Sequence, residues 1–114
     1  MSLSTEMETC IRNCQDCHQA CLGLVPYCLD LGGPHAAPEH IRLLLDCADS
    51  CQTSADFMLR RSPFHPAICG ICARICDACA DDCERFPNDA TMAHCAEVCR
   101  RCAESCREMS TMTA

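Results

Sequence analysis

Aromatic residues are scarce in this chain: tryptophan is absent, tyrosine occurs once and phenylalanine three times among 114 residues. A domain of this length normally fills its core with aromatic and branched aliphatic side chains, so another residue type must occupy that space. Glycine is also scarce, at four residues, which disfavours the loop-rich disulfide scaffolds of small secreted proteins. No apolar run approaches the roughly 20 residues of a membrane-spanning helix. These absences favour a helical domain and predict no membrane partner.

Positive charge is in deficit, with nine basic against sixteen acidic residues and a formal net charge of −7. This balance argues against nucleic acid or an anionic membrane surface as a partner. The N-terminal sequence MSLSTEMETC has no basic segment followed by an apolar segment and a small-residue cleavage site. We therefore predict a cytoplasmic protein with reduced thiols, and a single domain over residues 1–114.

Cysteine is the residue in excess, with sixteen copies. Within each segment the spacings mostly alternate between three and four residues, which places the thiols on one face of a helix. Strands would require a period of two. We interpret all sixteen as candidate metal ligands: Cys10, Cys14, Cys17, Cys21, Cys28, Cys47, Cys51, Cys69, Cys72, Cys76, Cys79, Cys83, Cys95, Cys99, Cys102 and Cys106.

Helix-start and helix-stop signals predict four helices, roughly at residues 5–31, 39–61, 63–86 and 89–109. Thr5 and Glu8 can form a capping box for the first helix, and Gly32-Gly33-Pro34 ends it. Pro38 suits the first turn of the second helix. Either Ser62-Pro63 or His65-Pro66 begins the third. Connections this short make successive helices antiparallel. The predicted fold is all-α: an antiparallel, up-down-up-down four-helix bundle with a cysteine-lined core.

So many inward-facing thiols point to a soft metal ion. Cu(I) prefers thiolate and thioether ligands, accepts two or three of them, and allows one sulfur to bridge two ions. One Cu(I) per thiolate also cancels the buried negative charge. The capacity would be about eight ions if each pair of thiols held one ion, rising to roughly sixteen with full bridging. No Ser–His–Asp, paired-carboxylate or phosphate-loop motif is present, so we predict storage and not catalysis.

Two other classes of function remain open. A thiol/disulfide redox protein is one, because C-x-x-C occurs four times. A disulfide needs converging Cβ atoms, which neighbours on one helix face lack, although pairs across helices remain possible. A zinc-sequestering module is the other. Zinc sites usually comprise separate sets of four ligands, whereas these thiols form continuous rows.

The runs CIRNCQDCHQAC, CADSC, CGICARICDACADDC and HCAEVCRRCAESC resemble those of the cysteine-rich four-helix copper storage proteins over nearly the whole chain. The lack of a signal peptide makes the chain similar to the cytosolic branch of that family. The resemblance implies a homotetramer of bundles, each loaded with many Cu(I) ions and open at one end. Delivery is then expected from a copper chaperone or a small-molecule thiol. Ser54 departs from the pattern, because it lies on the second helix where sulfur is expected.

Antiparallel order brings Met7, Met58, His65 and Met109 to one end of the bundle, which we call the mouth. Methionine is often a core filler, but three thioethers beside an imidazole are interpreted here as soft metal ligands that pass Cu(I) inward. The opposite end is predicted to be an apolar plug. There His40 is expected to be an exposed helix cap and not a ligand.

Overall fold

A computed structural model describes residues 3–112 and consists of four long helices. They are α1 (Thr5–Leu31), α2 (Pro38–Leu59), α3 (His65–Cys83) and α4 (Ala90–Ser110), and one turn of 3-10 helix, Gly33–Ala36, joins α1 to α2. Among the described residues there is no strand, and no helix has the length and hydropathy needed to cross a membrane. The prediction of an all-α fold is confirmed.

The helices run alternately up and down along a rod of 48 × 20 × 18 Å. Between α1 and α4, Cys10 lies opposite Cys106, with the sulfur atoms 3.6 Å apart. Further along α1, Cys21 lies opposite Cys95 at 3.8 Å. Residue numbers therefore rise along one helix as they fall along the other. The same reversal relates α2 to α3, which confirms the antiparallel bundle.

Side-chain caps fix the first and last helices. Ser4, and not Thr5, is the N-cap of α1, since its Oγ accepts a hydrogen bond from the Met7 N–H at 3.1 Å. The predicted capping box of Thr5 and Glu8 therefore does not form, because the residue three positions after Ser4 is Met7, whose side chain cannot bond back to the cap. Asp89 caps α4, because its Oδ1 accepts from the N–H groups of Thr91 and Met92 at 3.0 and 3.2 Å. Each cap satisfies amide groups that have no partner within the first helical turn.

Helix α3 is shorter than the predicted range at both ends, and α2 ends two residues early. Arg61 has a positive φ of 54°, a conformation that no helix continues, so the chain turns there and α3 begins at His65. At the other end, the Phe86 N–H bonds to the Cys83 carbonyl at 3.3 Å. This spacing of three residues is a tight 3-10 turn and not a continued α-helix.

The core is built from small side chains. Every cysteine is 2% exposed or less. Alanines lie beside the thiols on the buried faces of α2, α3 and α4: Ala48, Ala55, Ala73, Ala80, Ala96 and Ala103. Larger apolar side chains are buried towards the two ends of the rod, including Leu44, Met58, Met92 and Met109. The middle of the bundle is therefore lined mainly by thiols and alanine methyl groups.

Candidate metal centre

All sixteen cysteines are free thiols. Neighbouring sulfur atoms lie 3.6 to 4.0 Å apart in contacts both within a helix and between helices. These separations are well beyond the roughly 2.05 Å of a disulfide bond. They are contacts between packed thiols, and they form one network along the bundle axis.

Four groups of four sulfur atoms have all members within 4.8 Å of one another. Ordered along the bundle they are Cys14/Cys72/Cys102/Cys106, Cys51/Cys72/Cys76/Cys102, Cys17/Cys47/Cys51/Cys76 and Cys17/Cys21/Cys47/Cys99. Each group shares two sulfurs with the next, so ten cysteines form four overlapping groups. We call this set the thiol ladder.

The shared sulfurs decide what chemistry the ladder suits. An isolated tetrahedral zinc site uses four ligands, so four separate sites would need sixteen sulfurs where the ladder has ten. Ions in adjacent groups must therefore share bridging thiolates. Cu(I) suits such an arrangement, because it is soft, takes two or three sulfur ligands and tolerates bridging. The ladder matches a cluster of Cu(I) ions better than a row of structural zinc sites.

Five further cysteines extend the ladder towards the ends of the bundle. Cys10 lies 3.6 Å from Cys106 between their sulfurs, and Cys69 lies beside the same pair. At the other end, the sulfurs of Cys79 and Cys95 lie 4.0 and 3.8 Å from that of Cys21, with Cys83 next to both. The remaining cysteine, Cys28, contacts a histidine and a methionine instead.

Contacts between neighbouring thiols in the ladder shift their pKa values in opposite directions. Hydrogen bonds from the thiols of Cys102 and Cys21 lower the pKa of Cys17. The pKa of Cys21 is raised, first by its contact with Cys17 and also by burial. Adjacent groups in such a dry core cannot ionise together. Metal ions must therefore replace protons for the ladder to become thiolate, and binding releases those protons.

The structure buries most of the predicted mouth ligands. Met58 and Met109 are fully buried, and Met7 is half-buried. The ring of His65 is 4% exposed, and its Nδ1 donates to the Ser62 carbonyl at 3.1 Å. That bond leaves Nε2 as the acceptor nitrogen, and Nε2 is buried with no hydrogen-bond partner within residues 3–112. Unpartnered buried nitrogens are uncommon, and this one suits a metal ligand.

The prediction that His40 is an exposed cap is wrong, because its side chain is 1% exposed. The ring of Phe86 packs on it at 5.0 Å between centroids, and the Asp82 carboxylate accepts its Nδ1–H. The sequence contained a signal for this burial, because His40 lies on the same face of α2 as the buried Leu44 and Cys47. Next to it, burial raises the pKa of Cys28 to about 11, helped by nearby acidic groups.

Ser54 lies where its phase on α2 predicts, fully buried beside the thiol rows. Its hydroxyl finds no hydrogen-bond partner among the described residues. A hydroxyl is a poor ligand for a soft ion, so this position interrupts the sulfur lining of α2.

The family model for the copper storage protein, Csp, matches residues 3–111 of the chain. The chain belongs to the copper storage protein family. Solved structures agree with this membership. A Nitrosospira multiformis protein is 45% identical, with 92% of this chain and 94% of that one covered and a TM-score of 0.87.

Two similar structures are described as containing copper. The Cu(I)-bound copper storage protein BsCsp3 is 38% identical, over 94% of this chain and 100% of that one, with a TM-score of 0.86. A cytosolic copper storage protein from Streptomyces lividans, with five coppers, is 33% identical. The match covers 96% of this chain and 95% of that one, with a TM-score of 0.84. The family resemblance expected from the cysteine runs is confirmed.

Proposed function

We propose that this chain binds and stores multiple Cu(I) ions through its core thiolates. The observation that carries the proposal is the thiol ladder, in which four overlapping groups of sulfur atoms share two members at each step. All sixteen cysteines are proposed as ligands. Charge balance favours about one Cu(I) per thiolate at full loading, since a buried uncompensated thiolate is costly. The expected capacity is about eight to sixteen ions per chain.

At the mouth, the thioethers of Met7, Met58 and Met109 and the imidazole of His65 are proposed to bind incoming Cu(I) and pass it to the thiols. Two observations support this role. Both Met58 and Met109 are buried within the bundle and not spread on its surface, and Nε2 of His65 has no hydrogen-bond partner in the part of the chain that the structure describes. Neutral donors hold Cu(I) without adding buried negative charge, so the ion can move on to the thiolates.

The cellular setting is proposed from the relatives. The Streptomyces lividans protein is described as cytosolic, which agrees with the cytoplasmic location expected for reduced thiols. Residues 1–114 are proposed to form one domain that assembles into a homotetramer. A copper chaperone or a small-molecule thiol is proposed to supply the ion. Storage, and not catalysis, is the role that family membership supports.

Disulfide cycling is less favoured, because the thiols show no preferred pairing. The sulfur of Cys17, for example, lies 3.7 Å from both Cys47 and Cys99 and 3.9 Å from Cys21. A redox-active site depends on one pair of cysteines whose attack geometry is favoured over the alternatives. A thiol with several equivalent neighbours suits bridging metal ions better.

The test is an anaerobic titration of fully reduced protein with Cu(I) in competition with a chelator, followed by elemental analysis. About eight or more ions per chain, retained against the chelator, is the expected result. A parallel Zn(II) titration is the control. Saturation at one or two Cu(I), or preferential retention of zinc, would contradict storage. Sedimentation of the same samples tests the tetramer separately.

A further inference from the structure

The turn between α2 and α3 carries positive charge on an otherwise acidic chain. Residues 57–76 contain three arginines and no acidic residue, whereas the whole chain has a formal net charge of −7. Arg60 and Arg61 are adjacent in this turn, and both are exposed. Neither forms an ion pair within residues 3–112, where the arginines that do so are Arg85, Arg100, Arg101 and Arg107. The turn therefore keeps two positive charges that no carboxylate of the described chain neutralises.

Arg61 occupies a backbone position that favours glycine. It follows Arg60, the C-cap residue of α2, and has a φ of 54°. Its N–H bonds to the Met58 carbonyl at 3.0 Å, and the Ser62 N–H bonds to the Phe57 carbonyl at 2.9 Å. This pattern is a Schellman motif, whose left-handed residue is usually glycine because a side chain is strained there. A function for the charged side chain would account for an arginine in a strained conformation.

Arg60 and Phe64 are held in place and remain exposed. The Arg60 guanidinium lies over the Phe57 ring, 4.4 Å from its centroid, a contact that orients the side chain and leaves its charge in place. Phe64 is 70% exposed, more than any other large apolar side chain within residues 3–112. Its N–H donates to Ser62 Oγ at 3.1 Å. Arginine and aromatic side chains are enriched where proteins bind one another. We call Arg60, Arg61 and Phe64 the basic turn.

The basic turn adjoins the mouth of the bundle. His65, one of the proposed mouth ligands, directly follows Phe64 in the chain. The Ser62 carbonyl accepts the Nδ1–H of His65 at 3.1 Å, so the backbone of the turn also orients the imidazole. A molecule bound to the turn would therefore lie beside the residues proposed to receive incoming copper.

We propose that the basic turn docks an acidic protein that carries Cu(I), and that copper passes to the mouth within this transient complex. Charge complementarity selects the occupant. The acidic chain as a whole repels such a protein, whereas the turn attracts it next to the entrance and so sets its orientation. The transfer is a ligand exchange without oxidation or reduction. Donor thiolates release Cu(I) and take up protons, and the core thiols that receive the ion lose theirs. The proposal rests on the proposed storage of Cu(I) and adds its partner.

The first experiment compares two Cu(I)-loaded probe peptides with the same Cys-x-x-Cys core, one flanked by glutamates and the other by lysines. Transfer to reduced, metal-free protein is followed anaerobically over time by native mass spectrometry. The net charge of the chain predicts faster transfer from the lysine peptide. The basic turn predicts transfer about tenfold faster from the glutamate peptide at low salt, with the difference lost at high salt. Equal rates, or a faster lysine peptide, would overturn the proposal.

The second experiment repeats the comparison with variants. Arg60→Gln/Arg61→Gln should abolish the preference for the glutamate peptide. Arg42→Gln/Arg101→Gln is the matched control, because it removes the same charge from exposed positions of α2 and α4 outside the turn and should keep the preference. Phe64→Ser should slow transfer from both peptides, since an apolar contact does not depend on their charge. A preference that survives in Arg60→Gln/Arg61→Gln would refute the role of the turn.

Two further measurements on the same variants separate the possible failures. Loaded from a Cu(I)–chelator complex, Arg60→Gln/Arg61→Gln should reach the wild-type copper count, because the core thiols are unchanged. A wild-type count of only one or two ions would contradict storage itself, and not the docking surface alone. Sedimentation tests a second copy of this chain as the occupant. Loss of a homotetramer in Arg60→Gln/Arg61→Gln, with the control variant still assembled, would assign the turn to the subunit interface and overturn the proposal.

Discussion

Replacing Cys76 by serine tests whether the thiols act as a redundant store. The Cys76 sulfur lies 3.6 to 3.8 Å from those of Cys47, Cys51 and Cys72. It belongs to two of the four overlapping groups of the ladder. Each of those groups retains three sulfurs when Cys76 is removed, and three sulfurs still satisfy a Cu(I) ion.

The expected loss is small and can be bounded. Charge balance assigns about one Cu(I) to each thiolate, so one thiolate fewer should cost about one ion of the eight to sixteen. Because Cys76 belongs to two of the four groups, at most about two ions should be lost. The fold should tolerate the change, because Ser54 already places a buried hydroxyl beside the thiol rows.

The assay is the chelator-competed Cu(I) titration, with copper counted per chain by native mass spectrometry. Ala78→Ser is the matched control, since it adds a hydroxyl to an exposed position of the same helix and should leave the count unchanged. All-or-none loss of copper in Cys76→Ser would refute a redundant ladder. A folded variant with an undiminished count would refute the placement of Cys76 among the ligands.

Three further results are expected. Ser54→Cys should raise the copper count by at most about one Cu(I) per chain in native mass spectrometry. Ser54→Ala should stabilise the apo protein by about 1 kcal/mol in urea unfolding, because it removes a buried hydroxyl that has no hydrogen-bond partner among residues 3–112. Ser105→Ala should destabilise the apo protein by about 1–2 kcal/mol. The Ser105 hydroxyl accepts a hydrogen bond from Asn13 at 3.1 Å and donates one to a backbone carbonyl at 3.2 Å, and both are lost. Equal effects of the two serine-to-alanine changes on stability would contradict this reasoning. Burial opposes ionisation of Asp89, but hydrogen bonds from His35 and the α4 amides outweigh it and lower its pKa below 3.8. This stabilisation is present above pH 3.8 and is lost as the pH falls through the lower, folded-state pKa, so the melting temperature of Asp89→Asn should be less sensitive to acid than that of the wild type over this range.

The helices and the thiol rows could be predicted from spacing alone. Residues three and four apart share a helix face whatever the tertiary context, so Cys95, Cys99 and Cys102 had to lie on one stripe. A stripe this long must be buried against other helices, and the short connections fix their antiparallel order. The overlapping groups of four sulfur atoms could not be predicted in this way. They depend on the axial offset between helices, which the sequence of any one helix does not specify.

The environment of His40 shows where sequence reasoning stops. A histidine in the first turn of a helix, on the face that is buried further along, can be either exposed or covered. The outcome depends on whether the neighbouring helix extends past it. Here α3 ends in a tight turn that brings Phe86 against the ring, and Asp82, in the last turn of α3, accepts its Nδ1–H. Those contacts join residues more than forty positions apart, and no local pattern encodes them. The turn that shortens α3 thus also covers one face of the His40 ring.

Helix geometry itself explains why the sulfurs are spaced for bridging. Thiols three or four residues apart are separated by about 4.5–6 Å along a helix axis, from the rise of 1.5 Å per residue. The four helices interleave these rows, and sulfur contacts of 3.6 to 4.0 Å form between helices as well as within one helix, where the sulfurs of Cys17 and Cys21 lie 3.9 Å apart. Because cysteine packs as a small hydrophobe when protonated, the bundle can bury the same atoms without copper. Loading then exchanges protons for metal ions within a core that is already formed, so the number of bound copper ions can change without refolding the protein.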